Sequence, residues 1–389
     1  MEFLMHPTYG EQCEEVNLIL SKVTKENLDK LLQRLDLHCV LFEHLKTSGR
    51  INFIFHLETQ SKSFKSQELI LKVSNPHRYW RRFRTRNEVF TMKYVLQHTT
   101  IPVPKILDYS DDSTTSILSA EYILMEKLPG NTLEVSMKNM SEETLFKITL
   151  EMIDYVKQLR RIKLSGENQI GSFSDEEMSL GGIVEDSPML GPFSTVKEYI
   201  IGNLHWAIKR IQTDEFLFEL TKHLLSPLET VVECIQRDPN VFNENIPFRF
   251  THTDLNSSNI LVNEHDGHVL GILDWEKAAM TFSNNDLQFT SAWFDDDDGD
   301  NNDGREKRLQ DLLEQEKSYT TLMEDKVHLK ELNWYLEIMF SAVYVTFYSC
   351  TWFKNEEEVT EHIQYYVQKT EEAISSFNKD YFFKNMVQL

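Results

Sequence analysis

The sequence predicts an α+β chain of two lobes: a small, sheet-rich N-terminal lobe over residues 1–128, with a helical extension at its start, and a large helical lobe over 129–389. Three observations predict it. Short β-type runs alternate with polar loops between Cys39 and Met125. Beyond Glu126-Lys-Leu-Pro-Gly130, which breaks the pattern as a linker would, apolar spacing changes to the period of long helices. One compact stretch, Phe250 to Glu276, then sets a polar loop and two apolar strands among those helices. Sheet first and helices afterwards, with a cleft at the join, is the layering this order favours.

Each element has a local reason. Leu28 to Leu37 carries helical spacing behind Thr24, a residue suited to cap a helix N-terminus. Strands are expected over Cys39–Glu43, Ile51–Glu58 and Glu68–Val73, a helix over Arg84–His98, and strands again over Lys105–Tyr109 and Ser119–Met125. Thr100-Ile-Pro-Val-Pro104 ends that helix, because a residue before proline avoids the α region. In the second lobe, Ser141–Ile162 opens on a capping serine with acids in its first turn and closes on basic residues, matching the helix dipole. Further helices are expected over Thr195–Gln212, Phe216–Arg237, Arg305–Met323, Lys330–Phe353 and Glu357–Phe377.

Composition excludes several classes. With 41% hydrophobic and 26% charged residues the chain is globular, and 389 residues suffice for a substantial core. A formal charge of −22 disfavours nucleic acid and anionic membrane surfaces, and suits a cationic or amine ligand. The four cysteines share no metal-ligand spacing, as expected of inert thiols in a reducing compartment. Met1-Glu-Phe-Leu-Met-His-Pro7 lacks the form of a signal peptide, and Ile338–Tyr348 is too short and too polar to span a bilayer. The expected setting is therefore cytoplasmic. The acidic run Asp295–Gly304 reads as a solvated insertion. A calcium loop is excluded, since the frame that puts Glu306 at position twelve has no glycine at position six.

The chemistry concentrates in Phe250–Glu276. Apolar runs Ile260–Val262 and Val269–Leu273 flank Asp266-Gly267, a dipeptide suited to a two-residue hairpin turn. That turn puts Asn259 directly opposite Asp274, with facing Cβ atoms about 5 Å apart, so an amide oxygen and a carboxylate can hold one hard cation. Asp254 lies just before the first strand, where a loop carboxylate can reach a substrate hydroxyl. The set has the parts of a phosphotransfer centre: metal ligands Asn259 and Asp274, most consistent with Mg²⁺, and a base at Asp254. On the strand Glu68–Val73, Ile70 and Lys72 share one face, while Leu69, Leu71 and Val73 share the other. Glu88 interrupts an apolar stripe with Met92 and Val95, so it needs a cation, and Lys72 is the nearest by topology. The turn around Ser48-Gly49-Arg50 offers backbone N–H groups to phosphate, although no glycine-rich phosphate loop motif is present.

These residues resemble the aminoglycoside phosphotransferase and choline kinase group of small-molecule kinases, in particular its fungal members. The likeness rests on Asn87–Val95, Ile101-Pro-Val-Pro104, Tyr122–Gly130, Thr251–Val262 and Ile272–Glu276, which follow the family's order. It implies a two-lobed protein-kinase-like fold and use of ATP and Mg²⁺. By position it implies Lys72 and Glu88 as the family's ion pair, Asp254 as catalytic aspartate, and Asn259 and Asp274 as magnesium ligands. Glu126 and Leu128 would hold adenine through backbone groups, His252 would be structural, Asp286 would brace the catalytic loop, and Ser48, Gly49 and Asn52 would fit the nucleotide loop. The chain departs from the family in reading His-Thr-Asp where His-Gly-Asp is commoner, in its glycine-poor nucleotide loop and in the acidic insertion.

The expectation is a kinase that phosphorylates a hydroxyl of a small molecule, one bearing an amine or resembling an aminoglycoside. The alternative is a catalytically inactive kinase-like binding protein, which usually lacks the lysine, the base or the metal aspartate. This chain has a candidate for each. The stretch Gly181–Thr195 and Trp206 are the expected acceptor-pocket lining.

Overall fold

The computed structural model describes residues 16–45, 52–75, 81–164, 169–184, 189–237, 246–282, 311–316, 333–346 and 356–386. Its N-terminal region is an antiparallel five-stranded sheet in the order β1-β2-β3-β5-β4. The strands are β1 (Leu37–Leu45), β2 (Asn52–Ser61), β3 (Ser66–Ser74), β4 (Ile106–Ser110) and β5 (Tyr122–Glu126). The two faces of β3 divide as its alternation requires. Leu69, Leu71 and Val73 join Leu57 and Leu124 under helix α1 (Lys25–Leu32), which contributes Leu28, Leu31 and Leu32. Thr24 caps α1 by accepting from the Asn27 N–H at 3.3 Å. Ile70 packs in the other core with Val89, Met92 and Val95 of helix α2 (Arg81–His98), so Lys72 on the same face points towards α2.

The helical region follows. Ser141 accepts from the Thr144 N–H at the head of Glu142–Arg160, and Thr195 accepts from the Glu198 N–H at the head of Val196–Thr213. The single helix expected over Phe216–Arg237 is instead two, Glu215–Thr221 and Leu225–Arg237, joined by a 3₁₀ turn at Lys222–Leu224. Pro227 supplies the reason: with no N–H, it is tolerated in a first helical turn and not in an interior. Helices Asn333–Val345 and Glu356–Met386 pack on a second core with Val196–Thr213. Among the described residues no helix is long and apolar enough to cross a membrane. The expected helix over Arg305–Met323 is described only over 311–316, while the acidic run and Asp286 lie outside the described residues.

Between these regions sit a ribbon of β7 (Phe248–Thr251) with β10 (Ala279–Phe282) and a small sheet of β6 (Asn131–Thr132), β8 (Ile260–Val262) and β9 (Val269–Ile272). The hairpin β8–β9 forms where expected, but its turn and register differ. The Asn263 N–H donates to the His268 carbonyl and the Gly267 N–H to the Asn263 carbonyl, so residues 264–267 make a four-residue loop. Only Gly267 takes positive φ, +73°. A two-residue turn needs positive φ at both central positions. Here side chains stabilise the longer loop: Asn263 Oδ1 accepts from the His265 N–H, and Asp266 Oδ1 from the His268 N–H. An irregularity between Leu261 and Val262 then pairs Ile260 with Ile272. Asn259 therefore faces Leu273, whose N–H donates to its carbonyl at 2.8 Å, and not Asp274 as the sequence predicts.

Candidate active site

The loop between β7 and β8 is built around a buried histidine. His252 Nε2 lies 2.9 Å from the Leu273 carbonyl, and its Nδ1 lies 3.3 Å from the Asp254 N–H. A carbonyl can only accept and an N–H can only donate, so the ring is neutral with its proton on Nε2. Burial lowers the His252 pKa against the pull of Asp254, in keeping with that state. The ring thus ties the loop to the end of β9 and rests against Trp275, which is fully buried and donates its indole N–H to the Ile272 carbonyl at 2.9 Å. Both ring nitrogens of His252 are thus engaged by backbone groups.

Thr253 sits between the histidine and Asp254 with φ of +66°. A β-branched residue there is strained, by about 1–3 kcal/mol. Its hydroxyl donates to the Lys277 carbonyl at 2.8 Å and offsets part of that cost. Thr253→Val keeps the strain and loses the bond, and is expected to destabilise by about 1–2 kcal/mol. Thr253→Gly loses both and stays within about 1 kcal/mol of the parent. Denaturant titration of the two variants checks the pair.

Asp254 is half-buried and accepts from Asn256 Nδ2 at 3.0 Å. Asn259 Nδ2 donates to the Asp254 carbonyl at 2.9 Å, which fixes the amide so that its oxygen is the end left for a cation. Asp274 follows β9 in the left-handed region, φ 61°, outside the ladder. The loop brings Asp254 and Asn259 together by hydrogen bonds, and His252 feels the charges of both Asp254 and Asp274.

Lys72 is the meeting point of the two regions. Its Nζ lies 2.8 Å from both Glu88 oxygens, 2.7 Å from Asp274 Oδ1 and 3.2 Å from Glu276 Oε2. The Lys72–Glu88 pair expected from the apolar stripe is therefore formed. Glu276 also accepts from Arg84 Nη1 at 3.0 Å and from Asn52 Nδ2 at 3.2 Å. Asn87 Nδ2 donates to the Glu276 and Ala278 carbonyls at 2.9 and 2.8 Å, while its oxygen accepts from the Phe173 N–H. One oxygen each of Glu88, Asp274 and Glu276 lie within 4.8 Å of one another. Burial pushes the Glu88 carboxyl above its ordinary range; Lys72 opposes the rise, and Asp274 and Glu276 add to it.

The structure places the remaining expected residues as follows. Ser48 and Gly49 lie outside the described residues, and Asn52 directs its amide to Glu276. Glu126 ends β5, exposed, and its N–H donates to the Lys105 carbonyl. Leu128 lies over β9: a Cβ on Gly271 would fall 2.4 Å from Leu128 Cδ1, so the linker and the β8–β9 hairpin are in close contact and a larger residue at 271 would displace the leucine side chain. Trp206 packs against the second helical core, and residues 185–188 of the expected acceptor stretch lie outside the described residues. Sequence reasoning missed Arg84, Asn87 and Glu276 as site residues. Glu276 was visible as a second acid two places after Asp274, and Arg84 as a basic residue one helical turn before Glu88.

The model of the "Phosphotransferase enzyme family" matches residues 47–317. The clavilactone A biosynthesis cluster protein Y of Ampulloclitocybe clavipes is 29% identical over 213 residues, 51% of this chain and 50% of that protein, so the chain spans about half the length of that curated relative. Among solved structures, the ADP-bound aminoglycoside phosphotransferase APH(2'')-Ib superposes with a TM-score of 0.57 at 14% identity, covering 90% of this chain and 99% of that one. The amicoumacin kinase hAmiN, in complex with AMP-PNP, Ca²⁺ and Ami, gives 0.52 at 11% identity, covering 91% and 95%. At such identities the structural likeness shows a common fold, the two-lobed kinase-like one. With the family model matching well over half of its length, the chain belongs to the phosphotransferase enzyme family.

Proposed function

We propose that the chain is an ATP- and Mg²⁺-dependent kinase of a small molecule, transferring the γ-phosphoryl group to a hydroxyl. The observation that carries the reading is the convergence on Lys72: a strand of the sheet, a helix behind it and the end of the catalytic hairpin meet at one buried ammonium. In this reading the sheet-rich lobe, 1–128, holds the nucleotide, and 129–389 carries the acceptor.

The residues fit a divalent cation. Among the described residues, Glu88, Asp274 and Glu276 set three carboxylates against Lys72 and Arg84, an excess of one acid in a largely buried cluster. Asp274, with its side chain 34% exposed, is the member a ligand can reach, whereas Glu88 and Glu276 are 2% and 1% exposed. Asp274 and the Asn259 oxygen are hard donors of the kind Mg²⁺ prefers, and the bound ion would neutralise phosphate charge as it develops. Lys72, held by Glu88, grips the α- and β-phosphates. Backbone groups of Glu126 and Leu128 take the adenine, and Ser48, Gly49 and Asn52 are the residues proposed for the nucleotide loop. Asp254 accepts the proton of the acceptor hydroxyl and aims its oxygen along the line of attack, a positioning role in which geometry matters more than basicity. The lysine, base and metal ligands needed for activity are all retained, which supports an enzyme over an inactive relative.

The solved relatives that carry ADP or AMP-PNP with Ca²⁺ support nucleotide and divalent metal use. The formal charge of −22 favours an acceptor with an amine. Incubation with ATP, Mg²⁺ and a panel of hydroxylated amines, aminoglycosides and neutral alcohols tests the proposal. It predicts acceptor-dependent release of ADP with amine-bearing alcohols. No ADP release above the acceptor-free rate, across the panel, contradicts it.

A further inference from the structure

We propose that Glu276 is a positioning residue that holds Lys72 when Asp274 turns to the metal; this rests on the phosphotransfer reading. In the structure Lys72 is bonded to Asp274 at 2.7 Å, so ammonium and metal compete for the same carboxylate. For Asp274 to serve a cation, Lys72 needs other acceptors that keep it in place. Glu88 supplies two oxygens at 2.8 Å, and Glu276 Oε2 supplies a third at 3.2 Å from the 3₁₀ turn that follows β9.

Glu276 is built to stay put while this happens. Its carboxylate is 1% exposed and shared among three elements: Asn52 on β2 and Lys72 on β3 meet Oε2, and Arg84 on α2 meets Oε1. Its own carbonyl is held by Asn87. Such a carboxylate is poorly placed to become a metal ligand, because it would have to break a buried ion pair with Arg84 at 3.0 Å. Asp274 has no such tether in the ladder and is partly exposed. The two acids of the Asp-Trp-Glu sequence thus divide the work. The first turns between lysine and metal, and the second keeps the lysine at the mouth of the phosphate site.

Removing the Glu276 charge leaves Lys72 more dependent on Asp274, so metal must displace it at greater cost. Glu276→Gln is expected to raise the half-saturating Mg²⁺ for ADP binding about tenfold, the scale of one charge-assisted hydrogen bond. Titration calorimetry at fixed ADP reads this. Arg84→Met/Glu276→Gln is measured beside it, so that the buried ion pair is removed as a whole, and thermal melts check both. The luminescence lifetime of bound Tb³⁺ in H₂O and D₂O counts metal-bound waters and separates positioning from ligation. A raised Mg²⁺ requirement with an unchanged water count supports the proposal. An unchanged Mg²⁺ requirement in a folded variant overturns it, since a purely structural clamp would not move that value. A gain in bound water also overturns it, by making Glu276 itself a ligand. If the wild type shows no metal-dependent ADP binding, the phosphotransfer reading fails first and takes this inference with it.

Discussion

Asp254→Asn leaves the protein folded and nucleotide-bound while transfer falls by about 10²- to 10⁴-fold, the scale set by loss of a positioned base. The local geometry makes the substitution clean. The Asp254 N–H to His252, and the Asp254 carbonyl that accepts from Asn259, are backbone groups and survive it. The side-chain bond from Asn256 Nδ2 reaches Oδ1, and an asparagine oxygen can replace it. What is lost is the carboxylate proposed to take the acceptor's proton. Thermal melting and ADP calorimetry should match the parent, and steady-state turnover with an accepted alcohol should not. Turnover near the parental rate would remove Asp254 from this role.

Trp275→Ala is expected to have the largest effect on stability, about 3–5 kcal/mol. The indole is fully buried, lies against the His252 ring at a centroid distance of 4.5 Å and donates to the Ile272 carbonyl. Deleting it opens a cavity beneath the catalytic loop and removes the partner of a buried carbonyl. The cost therefore adds lost burial to a lost bond, and the loop loses the surface that orients His252. Equilibrium denaturation with guanidinium measures it, and a change under 1 kcal/mol would mean that the hairpin does not depend on this packing.

Much of this was legible in the sequence because it is local. Alternation along Glu68–Val73 gave both faces of β3, and the interruption of an apolar stripe by Glu88 identified its need for Lys72, which the structure meets at 2.8 Å. Capping by Thr24 and Ser141 was readable because each cap bonds an N–H three residues on. The hairpin turn was not, since Asp266-Gly267 suits two loop lengths and the choice rests on side-chain bonds from Asn263 and Asp266. The register followed the loop, so Asn259 faces Leu273, and Asp274 lies one residue further on as a left-handed residue beyond β9. Glu276 escaped for another reason. Its partners Arg84 and Lys72 lie 192 and 204 residues away in sequence, and no period reports contacts of that kind.

The central claim is that the end of the catalytic hairpin holds a metal for the nucleotide that Lys72 grips. Calorimetric titration of ADP into the wild type and into Asp274→Ala, each with Mg²⁺ and with a chelator, tests it most directly. The prediction is tight binding by the wild type only with Mg²⁺, and a metal-dependent gain that disappears in Asp274→Ala. Equal ADP affinity with and without metal in the wild type, or an undiminished gain in Asp274→Ala, would contradict it.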